Sequence, residues 1–258
     1  CQKIMKQIGL ALSGGGARGF AHLGVLKVID ELNIKISAIS GTSAGALFGS
    51  MYAAGYKPDE ILKIGKAAKL FNFPNILFGK SGFFNTQGFE ETITRYIPDN
   101  SFEKLKIPFT AVATDIVNNK TVYLNSGELA KSVAASACIP LIFEPIHLNE
   151  TYLLDGGILN QLPIEPLLEN DNHIIGVHVN SMSNKIEDLH MKDMLDRSFH
   201  CALGQSVYSK THACDVFIEP PDMSRFGMFD FNKADDIFDY AYNYASSIRA
   251  EIEGIKFV

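Results

Sequence analysis

At 258 residues, 47% apolar and 20% charged, the chain can bury a substantial core and is too apolar to be disordered. Its net charge of −6, from 23 Lys+Arg against 29 Asp+Glu with no basic block, excludes the clustered positive surface that nucleic-acid binding requires. Four scattered cysteines, Cys1, Cys138, Cys201 and Cys214, make neither a disulfide framework nor a zinc site. No other metal-ligating cluster stands out, so neither a metal nor a cofactor is expected.

The chain opens at Cys1, and Met5 begins a stretch that reads as a start. Residues 1–6 therefore read as an extension of one domain spanning residues 1–258, in a reduced cytoplasmic protein. The alternative is a lipoprotein anchored through Cys1. Gln7–Ser13 is a short apolar run ending in glycines, as a buried parallel strand would be. Phe20–Leu32 has helical spacing, Ile36–Ile39 is the next strand and Ala44–Ala54 the next helix. Ile36–Tyr56 carries no charge over 21 residues, but its four glycines and five Ser or Thr suit strand, turn and buried helix better than a membrane span. Helices follow at Asp59–Leu70 and Gly88–Tyr96, then strands at Pro108–Asp115 and Thr121–Leu124 across an Asn118-Asn119 turn. A helix at Glu128–Ala137 precedes a strand at Tyr152–Leu154. The rest reads as helix near Ile164–Leu168, strand Ile174–Val179, helix Met191–Tyr208, strand Asp215–Ile218 and a closing helix Ala234–Ile252. Repeated βα units predict an α/β fold with a mainly parallel central sheet and helices on both faces.

Two βα turns carry chemistry. Gly14-Gly15-Gly16-Ala17-Arg18-Gly19 fits G-x-G-x-x-G, yet the second strand ends at Ser40-Gly41 without the acidic residue that a dinucleotide site needs. What remains is a loop whose N–H groups converge at a helix N-terminus and favour negative charge. Gly41-Thr42-Ser43-Ala44-Gly45 fits G-x-S-x-G, a sharp strand-to-helix turn in which small neighbours let the serine hydroxyl stand exposed. A serine nucleophile needs a base. Asp155, ahead of Gly156 and Gly157, would present a carboxylate at the end of a strand, or serve as an ordinary Asx-turn residue. Five histidines follow it (His173, His178, His190, His200 and His212), so a Ser-Asp-His triad stays open, although none has a distinctive context.

These three motifs together resemble the patatin-like phospholipase family, in particular short bacterial members related to the catalytic domain of neuropathy target esterase. Ala135-Ser136-Ala137-Cys138-Ile139-Pro140 and the pair Asn160 and Pro163 also look like family blocks, and the matches run from Leu10 to Pro163. One departure is Leu141, where the family usually has glycine. The resemblance implies the patatin-like α/β/α fold and a serine lipid acyl hydrolase, a phospholipase, lysophospholipase or other carboxylic ester hydrolase. It implies a dyad in which Ser43 attacks the ester and Asp155 accepts its proton, with an oxyanion hole from Gly14, Gly15, Gly16 and Arg18. Gly19, Gly41, Thr42, Ala44, Gly45, Gly156 and Gly157 would be supporting motif positions. The implied partner is a lipid or other acyl ester, with transient contact to a membrane surface. A non-catalytic lipid-binding module is the alternative from another class. Phe71–Phe89 holds six of the chain's 18 phenylalanines, which either face inward in a core-covering loop or form an apolar rim that receives acyl chains, with Phe83 and Phe84 as the candidate rim residues.

Overall fold

The computed structural model describes residues 7–68, 86–148, 150–168, 173–182, 194, 201 and 204–257. The expectations placed on Cys1, Phe83 and Phe84 lie outside those residues, as does most of the helix expected over Met191–Tyr208, of which residues 204–208 are helical. The strands are β1 (Ile8–Leu12), β2 (Ile36–Thr42), β3 (Phe109–Asp115), β4 (Lys120–Leu124), β5 (Ile146–Leu148), β6 (Thr151–Asp155), β7 (His173–Val177) and β8 (Val216–Ile218). They form one sheet in the order β5-β6-β3-β2-β1-β7-β8, with β4 added against β3. β3, β2, β1, β7 and β8 are parallel neighbours, whereas β4, β5 and β6 pair antiparallel. An α/β sheet with helices on its faces is therefore present, with an antiparallel margin at one side.

β1 shows why helices cover both faces. Leu10 and Leu12 point into the large core beneath α1 (Phe20–Glu31), α2 (Ala44–Ala54) and α3 (Pro58–Ala67). Ala11, one residue out of phase, points into a smaller core with Leu162, Ile164, Leu167 and Ile174. α2 is buried along nearly its whole length, which accounts for the uncharged run that sequence alone could confuse with a span. Among the described residues, no helix is long and apolar enough to cross a membrane.

Two details depart from expectation. β5 was not predicted, because a three-residue edge strand is too short for its alternation to register. The closing helix breaks into Ala234–Ser247 and Arg249–Gly254. Near the break, Ser247 Oγ donates to the Tyr244 carbonyl at 2.7 Å, the side-chain competition that bends helices.

Register brings two motifs together. β4 runs along one edge of β3 over Ala111–Asp115. The other edge is shared: β2 pairs with Phe109–Val112, and β6 pairs with Ala113–Asp115 from the opposite direction. β2 and β6 therefore meet end to end, and their meeting ends are Thr42 and Asp155.

Leu141 occupies the position where the family resemblance suggests glycine, and its backbone is left-handed at φ 68° with the side chain 76% exposed. A Cβ in that region costs about 1–2 kcal/mol, and the exposed side chain recovers little by packing. Leu141→Gly is expected to stabilise the protein by up to about 1 kcal/mol, since greater freedom of the unfolded glycine offsets part of the gain. Thermal melting should show a rise of about 2–4 °C for a chain of this size.

Candidate active site

The turn after β2 holds Ser43 at φ 54° and ψ −119°, outside the regions that residues with a Cβ ordinarily occupy. Local bonds maintain it. Ser136 Oγ of α4 (Leu129–Ser136) accepts the Ser43 N–H at 3.0 Å and donates to the Val112 carbonyl at 2.6 Å. Thr42 Oγ1 donates to the Asn160 carbonyl at 2.9 Å, tying the elbow to the segment after β6. Gly45 must lack a side chain, because a Cβ there would lie 2.3 Å from the Leu12 carbonyl oxygen. Ser43 then opens α2, whose positive end lies beside its hydroxyl.

The glycine loop follows β1. Its carbonyls are taken up on the protein side. The Ser13 carbonyl accepts from His22 Nε2 at 2.8 Å, and the Gly14 carbonyl accepts from Asn180 Nδ2 at 2.7 Å and Ser13 Oγ at 2.9 Å. Full burial lowers the His22 pKa to about 4, so its ring is neutral. Arg18 is buried, with Nε donating to the Phe226 carbonyl at 2.7 Å and Nη1 3.4 Å from Asn180 Oδ1. The N–H groups of Gly15 and Gly16 make no hydrogen bond among the described residues. Gly16 has φ 55°, and a Cβ on it would collide with the Met228 carbonyl oxygen at 2.5 Å.

Asp155 ends β6 beside this turn. Its N–H donates to the Cys138 carbonyl at 2.8 Å, and its Oδ1 accepts the Gly157 N–H at 2.8 Å. The Asx turn is thus real, and it aims the carboxyl at Ser43. Burial raises the Asp155 pKa to about 6, against smaller opposing effects of hydrogen bonding from Ser43 and from Gly157. Neighbouring Cys138 is no rival nucleophile: burial first, and the Asp155 charge second, push its thiol up to about 12.

Two clefts open from Ser43. One is lined by Gly15, Asp155, Gly157, Gln161, Asn180 and Met228. The other is apolar apart from Ser43 and is walled by Phe20, Leu47, Phe48, Phe89, Ile139 and Phe231. Gly14, Gly19, Gly41, Thr42, Ala44, Gly45 and Gly156 surround this junction as backbone and close-packing positions.

Sequence reasoning missed Ser136, Gln161, Asn180, Met228 and Phe231. Ser136 lay within a block already noted, and Asn180 is a polar residue just after a buried strand. For Met228 and Phe231 no local signal exists. The described downstream histidines stand elsewhere: His173 pairs with Asp215 at 2.7 Å, His178 with Glu219 at 2.6 Å, and His212 is exposed. His190 and His200 lie outside the described residues.

Residues 10–168 match the family profile described as patatin-like phospholipase. The chain belongs to the patatin-like phospholipase family. An uncharacterised NTE family protein of Mycobacterium bovis is 34% identical over 62% of this chain and 45% of its own length. Lysophospholipase NTE1 of Cryptococcus neoformans is 31% identical over 69% of this chain and 12% of its own. Human patatin-like phospholipase domain-containing protein 6 is 26% identical over 93% of this chain and 20% of its own. The chain thus spans less than half the length of these curated relatives. Among solved structures, VipD from Legionella pneumophila shares the fold with a TM-score of 0.54 at 14% identity, covering 95% of this chain and 67% of that one.

Proposed function

We propose that the chain is a serine-type lipid acyl hydrolase acting through Ser43 and Asp155. One observation carries the reading: Ser43 and a buried, weakly acidic Asp155 share a cleft beside the Gly15 and Gly16 N–H groups, which make no hydrogen bond among the described residues. A carboxylate at the ordinary pKa of about 3.9 is a poor base for a hydroxyl, and burial improves it. In the proposed first step Ser43 Oγ attacks the ester carbonyl carbon while its proton passes to Asp155. The glycine-loop N–H groups hold the oxyanion, each donor contributing about 3 kcal/mol. Collapse expels the alcohol, which takes the proton back from Asp155 and leaves an acyl-serine. Water then attacks that ester, giving its proton to Asp155, and the acid departs as Ser43 is reprotonated.

Family membership and the name lysophospholipase borne by a relative favour a phospholipid or lysophospholipid substrate met at a membrane surface. A fluorophosphonate probe tests the reading. Covalent capture at Ser43 together with turnover of a lysophospholipid or a simple acyl ester supports it. An unlabelled, inactive protein points to the lipid-binding alternative.

Arg18 serves this scheme as a positioning residue. Through Asn180 it reaches the Gly14 carbonyl, and through Phe226 it fastens the loop to a distant segment. Arg18→Ala is expected to lower kcat about tenfold or more, with a smaller change in KM, because loop donors are needed most in the transition state. Since Arg18 is buried and its loss strands the Phe226 carbonyl, the substitution also costs about 1–3 kcal/mol, rather than being neutral as a solvated arginine would be. Steady-state kinetics beside a melting curve measures both.

A further inference from the structure

Residues 226–231 lie beyond the region that the family profile covers, yet they form a strap across the glycine loop. The Phe226 carbonyl accepts Arg18 Nε at 2.7 Å, and the Met228 carbonyl accepts the Ala17 N–H at 2.8 Å. Asp230 Oδ2 closes the turn by accepting from the Gly227 N–H at 3.0 Å and Lys233 Nζ at 2.7 Å. Phe226 is buried against Tyr240, with ring centroids 6.1 Å apart, and the Arg225 guanidinium covers both rings. The strap is therefore held at both ends. Its residues divide: Met228 lines the cleft that contains Asp155, and Phe231 lines the apolar cleft. Gly16 lies between them, with Met228 Cγ only 2.7 Å from where its Cβ would be.

We infer that this strap makes the two clefts selective for the two halves of the ester, Phe231 for the acyl chain and Met228 for the alcohol. The inference rests on the hydrolase reading, and the chemistry of that step dictates the assignment. With Ser43 Oγ on the reacting carbon and its oxyanion at the glycine loop, two substituents remain. The leaving alcohol oxygen must receive its proton from Asp155, so the alcohol occupies the cleft that holds Asp155 and Met228. The acyl chain has the other cleft, whose walls offer methylenes only apolar contacts.

The test uses two ester series, one with a fixed alcohol and lengthening acyl chains, the other with a fixed acyl group and alcohols of increasing size. Wild type, Phe231→Ala, Phe231→Leu and Met228→Ala are compared by kcat/KM and melting curves. Phe231→Ala is expected to raise the long-to-short acyl ratio about tenfold while keeping the alcohol ranking, and Met228→Ala to do the converse. Phe231→Leu preserves most of the packing and should shift the acyl ratio in the same direction by less. A uniform rate change across both series, unchanged rankings or swapped effects would overturn the strap's role while wild type still hydrolyses esters and is labelled at Ser43. Wild type that does neither ends the hydrolase reading, and this inference with it.

Discussion

Ser43→Ala is expected to cut ester hydrolysis by about 10⁴-fold or more and to abolish fluorophosphonate labelling, because no other described group at the junction can form the acyl intermediate. The Cys138 thiol, held up near 12 by burial, does not take over. The fold should survive, since Ser43 contributes a hydroxyl to a cleft and little to the core. A second readout comes from the backbone. Ser43 sits at φ 54° and ψ −119°, a conformation that alanine shares at equal cost and glycine adopts freely. Ser43→Gly should therefore be as inactive as Ser43→Ala but more stable than it by about 1–3 kcal/mol. Substantial residual turnover by Ser43→Ala with labelling intact would remove Ser43 from the mechanism.

Asp155→Asn should reduce kcat by about 10²–10⁴-fold, the range spanned by a positioned general base, because the amide keeps the shape and the Gly157 contact but accepts no proton. Wild-type kcat/KM should rise with pH through about 6, where the buried carboxyl ionises, and then level off. Stability runs in the opposite direction. A carboxyl whose pKa is raised by folding binds its proton more tightly in the native state. It supports the fold below its unfolded value of 3.8, and that support is lost as pH rises through about 6. At neutral pH the ionised Asp155 is thus a burden of roughly 3 kcal/mol, which asparagine does not carry. Asp155→Asn is expected to melt higher than wild type at pH 7–8, with the advantage vanishing near pH 4. A variant with nearly full activity, alongside an inactive His190 or His200 variant, would replace the dyad by a triad.

Most of the individual parts were legible because each is a local event. A buried strand, a glycine-rich turn and a helix occupy one continuous stretch, so residues 8–31 and 36–54 announce the glycine loop and the serine elbow by composition and spacing alone. The Asp155-Gly156-Gly157 turn is similarly local: one carboxyl oxygen makes the Asx bond while the group faces Ser43. Even the unusual Leu141 was visible as a departure, although only its φ of 68° shows the strain.

What sequence could not supply is distance between parts that lie far apart in the chain. Ser43 and Asp155 are separated by more than a hundred residues, and they meet because β4 occupies one edge of β3 and forces β2 and β6 to share the other. No periodicity in any of those strands encodes that sharing; it is a property of hydrogen-bond register. The same holds for the raised pKa of Asp155, which is a consequence of its burial in the assembled fold. Asn180, Met228 and Phe231 come from the ends of unrelated segments and reach the site through backbone carbonyls and van der Waals contact, interactions that any sequence can make and none advertises. The candidate site residues were therefore determined locally by turn sterics and strand burial, whereas their convergence on one junction was decided by sheet register and by a strap returning from residues 226–231.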